Sequence, residues 1–137
     1  MIIAICGSMV FTDQMIEAQK KLEVLGHKAY LSNFIGEHFG KSEKEREILT
    51  VVQKNERDAM REYWEIIQNV DAILVLNYDR RGVKNYIGGN AFLEMGFAYV
   101  LKKKIYLLNN IPEIDIYKSE IEAMKPVIIN GDFGEIK

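Results

Sequence analysis

The sequence predicts an α/β fold in which helices cover both faces of one doubly wound parallel sheet. Two observations indicate it. Short apolar runs of strand length alternate with segments of helical periodicity, which is the pattern of parallel strands joined by crossover helices. The clearest runs are continuously apolar, as in strands buried on both faces. The chain has 137 residues, 48% of them apolar, and residues 1–137 are predicted to form a single domain.

The first thirty residues contain a strand, a helix and a second strand. The β-branched apolar run at residues 2–6 is the first strand. Thr12 or Asp13 can cap the helix that follows, in which apolar residues recur at helical spacing until Gly26 ends it. A short second strand is predicted at residues 27–31.

A charged segment, residues 43–69, precedes the third strand. It has the apolar spacing of one long helix or two consecutive helices, and we interpret its charge run as a solvated helix face. Residues 71–76, DAILVL, form the clearest central strand. Strands four and five are predicted at residues 104–108 and 127–129, with a short helical turn at residues 119–124 between them.

The predicted strands fit the flavodoxin-like or Rossmann-like order 2-1-3-4-5, because parallel neighbours need right-handed crossovers. In such sheets a ligand binds beyond the carboxyl ends of the strands, where the order reverses between strands 1 and 3. This rule places the loop at residues 7–11 beside the loop at residues 77–90. We therefore expect the binding crevice between these two loops.

The helix after the second of these loops carries one acidic residue in an apolar stretch. Gly88 and Gly89 form a turn, Asn90 is the predicted N-cap, and Glu94 is the only charged residue at positions 91–101. A buried carboxylate needs compensation, and the helix N-terminus is expected to keep Glu94 ionised near neutral pH. Such a group is a candidate nucleophile, although a solvent-facing carboxylate or a structural ion pair would leave the same pattern.

Composition and charge narrow the class of ligand. A net charge of −2 and a pI near 5.7 argue against duplex nucleic acid and favour a small molecule. Cys6 is the only cysteine, is expected to be a small core residue rather than a reactive thiol, and fits a reducing compartment. No stretch approaches the length of a membrane span. The expectation is a soluble, cytoplasmic protein.

Several common functional motifs are absent. The chain has no GxGxxG after the first strand, no GxxxxGK[ST] and no Cys and His cluster with metal-ligand spacing. No metal or cofactor is therefore predicted. His27 and His38 are the only histidines, so a Ser-His-Asp triad is poorly supported. His38 is considered instead as a ligand contact on a mobile loop.

Three segments resemble a known family: CGS at residues 6–8, DAILVLN at residues 71–77 and GGNAFLEMGFA at residues 88–98. With them the chain resembles the nucleoside 2-deoxyribosyltransferase superfamily, which includes deoxynucleoside 5′-monophosphate N-glycosidases. The resemblance covers most of the chain. It implies cleavage or transfer of the N-glycosidic bond of a 2′-deoxynucleoside or its 5′-monophosphate, by a homo-oligomer whose sites are completed across interfaces.

The resemblance also implies roles for individual residues. Glu94 would be the nucleophile that forms a covalent deoxyribosyl ester. Asp79, or else Asp58 on the preceding helix, would assist the departing base. The remaining expected substrate contacts are Gly7 and Ser8 at the sugar or its 5′ substituent, Phe11 and Phe34 around the base, and Arg81, Gly88, Gly89 and Asn90.

Two alternatives stay open at this point. The pair Arg80 and Arg81 either clamps a phosphate or belongs to a solvated turn, while Glu122 would repel a phosphate if it lay in the site. The second alternative concerns catalysis itself. Tyr63 stands where similar proteins carry an acidic residue, so a catalytically inactive nucleotide-binding or sensing module is the competing hypothesis.

Overall fold

The computed structural model describes all 137 residues and contains one five-stranded sheet. All neighbouring strands are parallel, and their order is β2-β1-β3-β4-β5, as the sequence predicts. The strands are β1 (Ile2–Cys6), β2 (Lys28–Tyr30), β3 (Ala72–Val75), β4 (Lys104–Leu107) and β5 (Val127–Ile128). The central strand β3 is buried along its whole length, which accounts for its unbroken apolar sequence.

Helices cover both faces of the sheet and create two separate cores. The helices are α1 (Thr12–Val24), α2 (Glu43–Glu56), α3 (Ala59–Gln68), α4 (Gly89–Val100) and α5 (Lys118–Ala123). On one face α1 packs with the C-terminal segment, including Ile136. On the other face α3, α4 and α5 share a core that includes Met95 and Ile121. No helix is both long enough and apolar enough to cross a bilayer.

The charged segment forms two helices that meet at Arg57 and Asp58. Asp58 adopts a left-handed conformation with φ 54°, which a continuous α-helix does not tolerate. A capping box between Ser42 and Glu45 fixes the start of α2. Helix α2 contributes to neither apolar core and instead lies across the loops that follow β1 and β2.

The predicted cap of α4 is wrong by two residues. Gly88 is the N-cap, the helix begins at Gly89, and Asn90 lies inside the first turn with no capping hydrogen bond. Gly88 is favoured here because a Cβ at this position would lie 3.1 Å from the Tyr86 hydroxyl oxygen. This shift places Glu94 sixth in the helix, farther from the N-terminus than the sequence suggested.

Candidate active site

A cavity of about 400 Å³ opens at the carboxyl ends of β1 and β3, where the sequence places the crevice. Its floor is the end of β1 and the turn after it, and one wall is the loop from β3 into the first turns of α4. Helix α2 and the start of α3 form the opposite wall. Glu94 lines this cavity although only 7% of the residue is exposed.

Gly7 allows β1 to turn sharply at the floor of the cavity. Its φ is +152°, a conformation that other residues rarely adopt. A Cβ at this position would lie 3.1 Å from the carbonyl oxygen of Leu76 and 3.3 Å from the terminal methyl of Met15. Any larger residue would therefore push the chain away from β3, and the floor of the cavity would change shape.

Burial dominates the electrostatics of Glu94. It raises the pKa of the carboxyl from 4.5 to about 8, against a lowering contribution from a hydrogen bond with the Cys6 thiol and with a further raising contribution from the charge of Glu62. No cation contributes. The expectation of an ionised Glu94 is therefore wrong for the free protein at neutral pH, because the effect of a helix N-terminus fades beyond the first turn.

Two buried side chains surround the Glu94 carboxyl. Cys6 is in the core, as expected, and burial raises the pKa of its thiol well above the ordinary value. Tyr63 donates its hydroxyl hydrogen to the carbonyl oxygen of Ile5, and burial likewise raises its pKa. Both groups are therefore neutral near pH 7, and neither supplies a charge that would hold Glu94 ionised.

The polar wall of the cavity is centred on Arg80. Its Nη1 donates to the Ser8 hydroxyl at 3.1 Å, and its Nη2 donates to Glu47 Oε1 at 2.7 Å. Glu43 Oε1 lies 3.6 Å from Nε, and the guanidinium lies 5.6 Å from the centre of the Tyr86 ring. Arg81 lines the same wall but is mostly exposed, 3.6 Å from Glu47.

The structure brings together seven of the predicted site residues. Lining the cavity are Gly7, Ser8, Arg81, Gly88, Gly89, Asn90 and Glu94. Asp79 and Asp58 are exposed and lie outside it. Asp79 accepts a hydrogen bond from the Asn85 backbone N–H, and Asp58 pairs with Arg61. The geometry does not place either aspartate where it could assist a departing base.

The predicted aromatic sandwich is also not formed. Phe11 is buried against Tyr78 in an edge-to-face contact, and the Arg57 guanidinium lies over the ring of Phe34. Neither phenylalanine lines the cavity. The aromatic side chains that do are Tyr63 and Tyr86, together with apolar residues that include Met9, Leu31, Ile35 and Val51.

The largest group of missed residues lies on α2. Glu47, Thr50 and Lys54 line the cavity on the helix face that we interpreted as solvated. Their spacing of three and four residues places them on one side of the helix, so the sequence does contain a polar stripe. What it lacks is a signal for the direction of that stripe, because α2 is oriented by tertiary contacts.

Both histidines make contacts within the fold. His38 is fully buried, and its Nε2 forms a hydrogen bond with Gln53 Oε1 at 2.9 Å, so it is not a mobile-loop contact. His27 Nδ1 lies 2.9 Å from the N-terminal amine. No group of three or more His, Cys, Asp or Glu side chains is arranged to hold a metal ion. Glu122 is exposed and outside the cavity, so it has no bearing on a phosphate there.

No protein-family model and no curated protein matches the chain. Among solved structures, a 2-deoxyribosyltransferase from the psychrotolerant bacterium Bacillus psychrosaccharolyticus is similar to it over 78% of this chain and 71% of that chain. The sequence identity is 16% and the TM-score 0.46. A likeness at this level does not establish a function, so only the cavity and its residues can indicate one.

Proposed function

We propose that this protein cleaves or transfers the N-glycosidic bond of a 2′-deoxynucleoside, with Glu94 as the nucleophile. The observation that carries the proposal is a buried carboxyl in a cavity of about 400 Å³, with no cation to neutralise it. A structural carboxylate would be paired with a cation or exposed, whereas Glu94 has no cation beside it and is only 7% exposed. The volume suits a ligand of nucleoside size, and the sequence resemblance to deoxyribosyltransferases supports the same reaction.

The proposed reaction has two displacements at the anomeric carbon. A Glu94 carboxylate oxygen attacks C1′ while the C1′–N bond breaks, and the bonding electron pair leaves with the base, which takes up a proton. Water or a second base then attacks C1′, breaks its bond to the Glu94 oxygen and loses a proton, which balances the proton taken up by the departing base. The carboxylate is regenerated, and the anomeric configuration is retained.

The raised pKa of Glu94 sets the fraction of protein molecules in which the nucleophile is ionised. With a pKa of about 8, about a tenth of the free protein carries an ionised Glu94 at pH 7. That fraction is a strong nucleophile because a desolvated carboxylate gains most when positive charge develops at C1′. Ionisation above neutral pH should therefore increase the rate.

The other cavity residues suit substrate binding rather than covalent chemistry. Lys54, Tyr86 and Asn90 line the cavity and carry polar groups of the kind that bind a ligand. In this proposal Tyr86 replaces the aspartates as the donor of a hydrogen bond to the leaving base. Ser8 and Arg81 remain proposed contacts of the sugar side, and a homo-oligomer that completes the site remains a prediction.

One observation favours the competing function, a nucleotide-binding or sensing module without catalysis. Glu94 is mostly protonated at pH 7, and a neutral carboxyl can donate a hydrogen bond to a ligand as well as accept one. Such a module would bind nucleosides in the same cavity. It would release no base and form no covalent adduct.

The test is incubation with the four 2′-deoxynucleosides and their 5′-monophosphates, with and without an acceptor base, followed by chromatography and intact-mass analysis. We expect base release or exchange and an adduct of one deoxyribosyl group on Glu94. Glu94→Gln should reduce turnover at least about a thousandfold, since it removes the nucleophile. The matched control is Glu65→Gln, which changes an exposed carboxyl on α3. Saturable binding with neither turnover nor adduct would favour the sensing module.

A further inference from the structure

Three cationic side chains line the cavity, and the carboxylate of Glu47 forms ion pairs with two of them. Lys54, Arg80 and Arg81 are the cations that line it. Glu47 reaches both arginines, with Oε1 2.7 Å from Arg80 Nη2 and Oε2 3.6 Å from Arg81 Nη2. A phosphate group entering the cavity would have to compete with Glu47 for either guanidinium.

Arg80 is the more strongly held of the two. Its side chain is 9% exposed, whereas that of Arg81 is 58% exposed. Glu43 places a second carboxylate 3.6 Å from Arg80 Nε, and Ser8 accepts from Nη1. One partly desolvated guanidinium thus faces two carboxylates, so its charge is already compensated before any ligand arrives.

We propose that Glu47 is a specificity-determining residue that makes the cavity select an unphosphorylated 2′-deoxynucleoside over its 5′-monophosphate. The Glu47 carboxylate accepts a hydrogen bond from Arg80 Nη2 and lies 3.6 Å from Arg81 Nη2, so its negative charge repels a dianion at the place where either guanidinium would bind one. A neutral 5′-hydroxyl meets no such repulsion. This inference depends on the proposed function for the identity of the ligand and extends it to the ligand's charge.

The position of Glu47 is fixed by the fold. The capping box of Ser42 and Glu45 sets the start of α2, and the Arg46 guanidinium binds the carbonyl oxygens of His38 and Val10, each at 3.0 Å. The carboxylate of Glu47 is therefore presented to the arginines by a helix whose adjacent residue, Arg46, is bonded to the segments that follow β1 and β2. Glu43 is more exposed and makes no hydrogen bond to Arg80, so we assign the main effect to Glu47.

The deciding experiment compares the wild type, Glu47→Gln and Glu56→Gln. The control removes the same charge from the exposed end of the same helix, away from the cavity. Calorimetry gives the dissociation constants of 2′-deoxyadenosine, thymidine and their 5′-monophosphates, and chromatography gives kcat/KM for base release. For each base the readout is a preference ratio: the affinity, or the kcat/KM, for the nucleoside divided by the same quantity for its monophosphate.

The wild type should favour the nucleoside, and Glu47→Gln should shift the ratio toward the monophosphate by about tenfold or more, with the shift shrinking as salt rises. Glu56→Gln should keep the wild-type ratio. Equal wild-type affinity for both ligands, as would follow if Lys54 bound the phosphate, would overturn the inference. An unchanged ratio in Glu47→Gln would also do so.

The two proposals fail in different ways. Base release with a ratio that ignores Glu47 refutes the specificity role and leaves the glycosidic function in place. A Glu47-dependent binding ratio without base release refutes the catalytic function and supports the specificity role. Absence of binding for all four 2′-deoxynucleosides and their 5′-monophosphates refutes both.

Discussion

Arg46 and Glu94 are buried to the same degree, each with 7% of the residue exposed, yet they are compensated very differently. The Arg46 guanidinium donates to two carbonyl oxygens and to Asp13 Oδ1 at 3.3 Å. Glu94 has only the Cys6 thiol, and burial raises its pKa to about 8. The same degree of burial therefore has opposite consequences for Arg46 and Glu94. Arg46 holds α2 to its neighbours, whereas Glu94 is a carboxyl whose ionised form is destabilised by burial and which lines the cavity, where it is available for chemistry.

The largest expected effect is a pH dependence of stability that depends on Glu94. The pKa of Glu94 is about 8 in the folded protein and near 4.5 in the unfolded chain. Between these two pH values the folded state therefore binds one more proton than the unfolded state. The resulting stabilisation is complete below the unfolded pKa and is lost as pH rises through the folded pKa. Its slope is at most about 1.4 kcal/mol per pH unit.

Urea unfolding of the wild type and Glu94→Gln at pH 5, 6.5 and 8 measures this slope. The variant should become steadily more stable relative to the wild type as pH rises, because its amide cannot ionise. Base release by the wild type should rise about tenfold from pH 6 to pH 7, reach about half its maximum near pH 8 and level off above that pH. Parallel stability profiles for the two proteins would show that Glu94 is not protonated in the fold.

The second prediction concerns the compensated member of the pair. Arg46→Met keeps much of the apolar stem but removes the guanidinium donors of the Val10 and His38 carbonyl oxygens, and His38 keeps only the Lys41 backbone N–H. We expect a loss of about 2–4 kcal/mol in the free energy of unfolding. The control Arg61→Met removes the exposed pair with Asp58 and should change it by less than about 1 kcal/mol. Equal losses in both variants would mean that burial of Arg46 adds nothing.

The sequence predicted the sheet order and the place of Glu94 because both follow from local patterns. Continuous apolar runs mark parallel strands, and the reversal of strand order marks the crevice. It failed for the ionisation of Glu94, the direction of the polar stripe on α2 and the pairing of Glu47 with Arg80. Each of these depends on contacts between residues far apart in the chain, which periodicity does not encode. The sequence also missed the cap at Gly88, a position where the Tyr86 side chain leaves little room for a Cβ.

The smallest expected effect belongs to Asp79, whose carboxylate contrasts with Glu94 in being exposed and already bonded, to the Asn85 N–H at 2.9 Å. Asp79→Asn keeps an oxygen acceptor at that position, so stability should change by less than about 1 kcal/mol and base release by less than about twofold. Tyr86→Phe removes a hydroxyl from the cavity and should slow base release by about tenfold or more with little change in stability. Steady-state kinetics of the two variants shows whether Asp79 or Tyr86 assists the leaving base. A tenfold loss in Asp79→Asn with full activity in Tyr86→Phe would mean that the β3–α4 loop moves on binding and carries Asp79 to the leaving base, since its present position outside the cavity does not allow that contact.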